Sequence, residues 1–116
     1  MTATPAGSAP GAAEVVLSGE LDIATLDDAE RQVEEAAATA PPLLVIDLSG
    51  LTFVDSSGVR LVLLADDRAR AAGRRLAVRL GTGHALRVFQ ALGLLDKIDV
   101  LPPRPADAAT HRPAPG

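Results

Sequence analysis

The sequence predicts an α/β fold: one domain with a mainly parallel, four- to five-stranded sheet and crossover helices. Three observations carry this. The chain has 116 residues, the length of one domain. Short apolar runs alternate regularly with stretches of helical period. Residues 43–48 (LLVIDL) form a near-continuous apolar run, as expected of a strand covered on both faces. A strand–helix–strand order repeated along the chain implies right-handed crossovers and a largely parallel sheet.

Taken in order, residues 1–13 are, after Met1, Pro, Gly, Ala, Ser and Thr with no apolar period, and residues 102–116 carry five prolines. Seven of the nine prolines lie in these two ends, so both are expected to be disordered tails around a folded body at 14–101. Glu14–Ser18 is a short strand closed by Gly19. Leu26, Ala29, Val33, Ala36, Ala37 and Ala40 recur at helical spacing. Asp27 and Asp28 suit the positive end of that helix's dipole, and Pro41-Pro42 stops it. After the strand at Leu43–Leu48, Ser56–Ala72 is a second helix, with Gly73 placed to end it in a left-handed conformation. Leu76–Leu80 is a third strand. His84–Leu92 is a third helix with Leu86, Phe89 and Leu92 on one stripe, followed by Gly93. Lys97–Leu101 is a weaker last strand.

Composition removes several function classes. The formal charge is −4 and the isoelectric point about 5.0, which does not favour a polyanionic partner such as nucleic acid. There is no cysteine, hence no disulfide, thiolate chemistry or cysteine metal site. His84 and His111 are isolated, so no metal or other cofactor is expected. No secretory signal is visible at the start. No apolar run approaches the ~20 residues that span a bilayer. The cytoplasm, without membrane insertion, is the expected location.

In open α/β sheets, ligands and partners gather beyond the C-terminal ends of the strands. Two polar loops are expected at that edge: Ser18-Gly19-Glu20-Leu21-Asp22 after the first strand, and Asp55-Ser56-Ser57-Gly58 at the start of the second helix. Asp and Ser at a helix start accept hydrogen bonds from free amides in the first turn, a contribution of about 1 kcal/mol. A serine hydroxyl there is also reachable by a kinase, and a phosphate would add about −1.5 to −2 charges. The helix dipole would tolerate that charge, whereas the adjacent Asp55 would oppose it. Capping and phosphorylation are compatible, and spacing alone leaves both open.

The residues also carry a resemblance. Gly19-Glu20-Leu21-Asp22 and the run Val45-Ile46-Asp47-Leu48-Ser49-Gly50-Leu51-Thr52-Phe53-Val54-Asp55-Ser56-Ser57-Gly58 resemble the STAS family of anti-sigma-factor antagonists. The likeness continues through residues 72–78 and through Phe89-Gln90-Ala91-Leu92-Gly93-Leu94, so it spans about residues 14–101. The resemblance implies a STAS-like fold and a partner switch in transcription regulation and stress response. The unphosphorylated antagonist binds an anti-sigma factor that is also a serine protein kinase, phosphorylation of the serine after the motif's aspartate (here Ser56) ends the complex, and a serine phosphatase resets it. It further implies that Asp22, Asp55, Ser56, Ser57, Gly58 and Arg60 lie on the partner-binding surface. The chain departs from the family pattern in three places. The usual preceding strand would fall in the Pro/Gly-rich start, the usual C-terminal helix in the Pro-rich end, where only Ala106–His111 offers a turn, and Arg60 stands where a small residue is common.

Rival readings fare less well. A receiver domain phosphorylated at Asp47 needs an acidic pair after the first strand and a lysine after the last, but Asp66-Asp67 lie within a helix and Lys97 begins the last strand. A Ser57–His84–Asp22 catalytic site lacks the G-x-S-x-G elbow, and no phosphate-binding G-x-x-x-x-G-K-[ST] loop is present, so no enzyme activity is expected. A non-switching STAS scaffold, or an adaptor in a stress-signalling or lipid-transport complex, remains the alternative. Arg68, Arg70, Arg74 and Arg75 read as a solvated basic helix end, with contact to an acidic partner also open.

Overall fold

A computed structural model describes residues 11–102. Its elements are β1 (Ala12–Leu21), α1 (Leu26–Ala38), β2 (Leu43–Val54), α2 (Ser56–Ala71), β3 (Arg75–Arg79), α3 (His84–Ala91) and β4 (Asp99–Val100). The four strands form one sheet in the order β1-β2-β3-β4, and each neighbouring pair is parallel. The expected disordered tails fall mostly outside the described residues, as do the places of the family's preceding strand and C-terminal helix. Ala12 and Ala13, assigned to the tail by composition, instead open β1 and pair with Leu43 and Leu44.

Both leading strands run further than their apolar patterns suggest. The Ser18–Asp22 segment is not a loop after β1, because β1 continues to Leu21 through exposed Ser18, Gly19 and Glu20. Its register against β2 slips between Val16 and Ser18 and again between Gly19 and Glu20. Gly19 takes φ +83° at the irregularity, a conformation that costs a residue without Cβ little. The Thr52 hydroxyl donates to the Gly19 carbonyl at 3.2 Å across the pair. Leu21, Leu51 and Val54 thereby still point inward, each less than 5% exposed. This irregular extension carries the ends of β1 and β2 out together, which matters for the site below.

The row Val15–Ile46–Val78 crosses three strands and belongs to the main core, where Ala29 and Val33 of α1, Val59 and Val62 of α2, and Phe89 of α3 cover it. Phe89 is fully buried, whereas Phe53 is 42% exposed, so the core holds one aromatic ring among aliphatic side chains. Asp47 is 3% exposed and accepts from the Ser49 amide at 2.9 Å and the Ser49 hydroxyl at 2.6 Å, which meets the requirement that a buried carboxylate be hydrogen-bonded.

Three boundaries differ from expectation. In α3 the buried residues are Ala85 and Phe89, while Leu92 sits at the C-cap, 55% exposed. The last strand shrinks to Asp99–Val100, because Lys97 is still in the turn that its amide closes on the Leu94 carbonyl. Leu80 lies just beyond β3, which starts one residue early at Arg75. Gly73 follows α2 at φ +74°, as anticipated. Among the described residues, no helix is long and apolar enough to cross a membrane.

Candidate functional site

The ends of β1 and β2 meet where the Asp55 amide donates to the Leu21 carbonyl at 3.1 Å. Both polar segments therefore lie at the same edge of the sheet, the first as the end of β1 and the second as the start of α2. Asp55 is the N-cap of α2, extended at φ −103° and ψ −175°. Its Oδ1 accepts from the Ser57 amide at 2.9 Å, the Gly58 amide at 3.2 Å and the Ser57 hydroxyl at 2.5 Å. These bonds satisfy amides that the first turn of a helix leaves unpaired. The Asp55 carboxyl is held below the usual aspartate value of 3.8, first by the Ser57 hydroxyl, then by the backbone amides of Gly58, Ser57 and Ile23, with desolvation opposing them.

The two adjacent serines are thus unlike. The Ser57 hydroxyl is tied to Asp55, and its residue is half-buried. Ser56, the first residue of α2, is exposed, and its hydroxyl has no hydrogen-bond partner among the described residues. Gly58 is buried, and a Cβ there would lie 2.7 Å from Val54 Cγ2 and 2.8 Å from Leu21 Cγ. Glycine lets the helix start sit directly on the strand ends. One turn further on, Arg60 is exposed and has no ion-pair partner among the described residues.

Asp22 shares this edge but faces its own turn. Its Oδ1 accepts from the Ala24 amide at 3.0 Å and the Thr25 amide at 3.1 Å, while its own amide donates to Thr25 Oγ1 at 3.0 Å. The turn orders the approach to α1 and presents Ile23, which is 78% exposed, beside the Asp55 cap.

Two further residues join the site. His84 Nδ1 accepts from the Val54 amide at 3.0 Å, and its ring stacks on Phe53 with centroids 5.2 Å apart and an 18° interplanar angle. His84 thus ties the start of α3 to the residue before Asp55. The isolated position of His84 in the sequence does not reveal this contact, because the partner lies thirty residues away and no local spacing signals it. Ser57 bonds Asp55, His84 bonds Val54, and Asp22 bonds its own turn, so the three side chains imagined as a catalytic set serve three separate contacts.

What the site offers chemically is a shaped, mostly acidic edge with one exposed hydroxyl at a positive helix end. Comparison with known proteins bears on its use. A family model described as Mlab, STAS domain, matches residues 6–102. The anti-sigma-F factor antagonist RsfB of Mycobacterium tuberculosis is 29% identical over 93 residues, with 71% of this chain and 76% of that protein covered. The crystal structure of an anti-sigma factor antagonist from Mycobacterium paratuberculosis matches with a TM-score of 0.75 at 27% identity, over 90% of this chain and 87% of that one. The Bacillus cell fate determinant SpoIIAA in its phosphorylated form matches with a TM-score of 0.66 over 95% of this chain and 98% of that one. At 22% identity this last likeness bears on the fold alone.

Proposed function

Because the chain belongs to the STAS domain family, we propose that it acts as an anti-sigma-factor antagonist whose docking surface surrounds Ser56. Its partner is an anti-sigma factor with serine kinase activity, which releases it on phosphorylating Ser56, and a serine phosphatase restores binding in the cytoplasm. The chain's own role is to bind rather than to catalyse. The observation that carries this reading is the contrast between the serines: Ser56 is exposed and unengaged, whereas Ser57 is occupied in the Asp55 cap. The names of the two mycobacterial relatives support the partner class.

A phosphate at Ser56 is tolerated by the helix end and repelled by Asp55, so its larger effect falls on whatever docks there. An unpartnered charge buried in an interface costs roughly 2–5 kcal/mol, so Ser56→Asp is expected to weaken binding tens-fold or more. Ser56→Ala removes a small hydroxyl and is expected to bind like the parent while resisting release by ATP. Arg60 lies four residues on and could pair with the new charge, but such a pair contributes only about 0.2–0.5 kcal/mol. Ser56→Asp combined with Arg60→Ala is therefore expected to bind no better than Ser56→Asp. Calorimetry with the cognate anti-sigma factor and phosphopeptide mapping after reaction with ATP check these outcomes. Phosphate confined to Ser57, or equal affinity for parent, Ser56→Ala and Ser56→Asp, would leave the non-switching scaffold as the better reading.

A further inference from the structure

A cavity of about 280 Å³ opens at the far end of the molecule from Ser56. It lies between the C-terminal halves of α1 and α2, over the start of β2. Val33, Ala37, Leu44, Ala65 and Ala69 give it an apolar lining. The alanines leave the space, since longer side chains at these positions would let the helices close over Leu44. The volume is near the lower end of the range of small-molecule sites.

The rim is basic. Arg68, Arg74 and Arg75 line it against a single acid, Glu34, in a chain of net charge −4. Two of the arginines are partly engaged: Arg68 approaches Glu34 at 3.7 Å, with both side chains mostly exposed, and Arg75 meets Asp99 at 3.2 Å. Arg74 is half-buried and has no carboxylate partner among the described residues. Its position is fixed by its amide, which donates to the Ala69 carbonyl at 2.8 Å, and the next residue's amide donates to Pro42 at 3.0 Å. The negative dipole ends of α1 and α2 disfavour an anion directly over the helices. An anionic head group is therefore directed to the Arg74–Arg75 side, where a guanidinium matches the planar geometry of a carboxylate.

We infer that this cleft binds a monomeric fatty-acid carboxylate of medium chain length, its tail over Leu44 between α1 and α2 and its head group at Arg74 and Arg75. An apolar slot beside a surplus of guanidinium groups selects a ligand that is apolar at one end and anionic at the other. The site is separate from the proposed docking surface: Ala65 and Ala69 lie nine and thirteen residues beyond Ser56 on α2, so about 14–20 Å of helix separates the two.

Sodium decanoate below its micelle concentration, titrated into the full chain and followed by amide NMR shifts, tests this. The expected result is saturable shifts centred on Ala37, Ala65, Ala69 and Arg74. Decanol, acetate and decyltrimethylammonium should each bind at least tenfold more weakly. Arg74→Gln should weaken decanoate at least tenfold, and Ala69→Leu should abolish the shifts by filling the slot, with Tm near that of the parent for Arg74→Gln. Equal binding of decanol and decanoate, shifts centred elsewhere, or undiminished binding by Arg74→Gln would overturn the inference. So would sedimentation of the protein with phosphatidylglycerol vesicles in the absence of decanoate binding, which would make the basic rim a bilayer contact.

Discussion

Ser56 and Ser57 are the same residue type one position apart, and a single carboxylate makes them chemically different. Asp55 takes the hydroxyl of one and leaves the other to solvent. Because the Asp55 carboxyl is lowered from 3.8, whatever stability its cap contributes is fully present above the unfolded value near 3.8 and is lost as pH falls through the lower folded value. The largest cause is the Ser57 hydroxyl. A carbon-detected NMR titration is therefore expected to place the Asp55 midpoint below 3.8, and Ser57→Ala to move it upward. A midpoint unmoved by Ser57→Ala would mean that the backbone amides alone hold the charge. The sequence made the cap legible, since Asp followed by two serines at a helix start is a local pattern. It did not make the choice of hydroxyl legible from spacing, because that depends on a rotamer and a 2.5 Å contact.

The helices and strands were legible in kind, and their ends were not. Leu43–Leu48 announces a buried strand through near-continuous hydrophobicity, yet β2 continues to Val54 through Ser49 and Gly50, beyond the apolar run. The reason is tertiary: an irregular partner strand carries its own polar residues alongside, and neither strand reveals the pairing alone. The same extension sets the tolerance of α2's first turn. Gly58 packs directly against Leu21 and Val54, so Gly58→Ala is expected to push α2 off the strand ends, at a cost of about 1–3 kcal/mol. Thermal melts should show Tm lowered by roughly 4–8 °C for each kcal/mol lost in a domain of this size. A Tm within a degree of the parent would show that Leu21 yields without strain. His84 was legible as the start of α3, but its hold on Val54 joins residues thirty positions apart, beyond any local pattern.

At the scale of the molecule, one buried aromatic ring stands in for the several that cores of this size commonly hold. Phe89 is fully enclosed by aliphatic neighbours. Phe89→Ala is expected to cost about 3–5 kcal/mol, a large share of the roughly 5–15 kcal/mol available to a small domain. Urea denaturation should show the midpoint displaced accordingly, and a shift under 1 kcal/mol would mean that the core closes over the gap.

The all-parallel order of the sheet also governs the sequence of events in time. No two neighbouring strands are joined by a tight turn: Ala12 must find Leu43, and Leu43 must find Arg75, each across a helix. Contacts so distant along the chain close slowly compared with hairpins and helical pairs. On a ribosome, where synthesis runs at about 5–20 residues per second, β1 emerges first and has no partner until β2 follows. The edge proposed for docking cannot pair until Val54, the last residue of β2, is available to Leu21. Ser56 follows β2 out of the exit tunnel, yet its folded setting waits for the rest of α2 and for His84, which holds Val54.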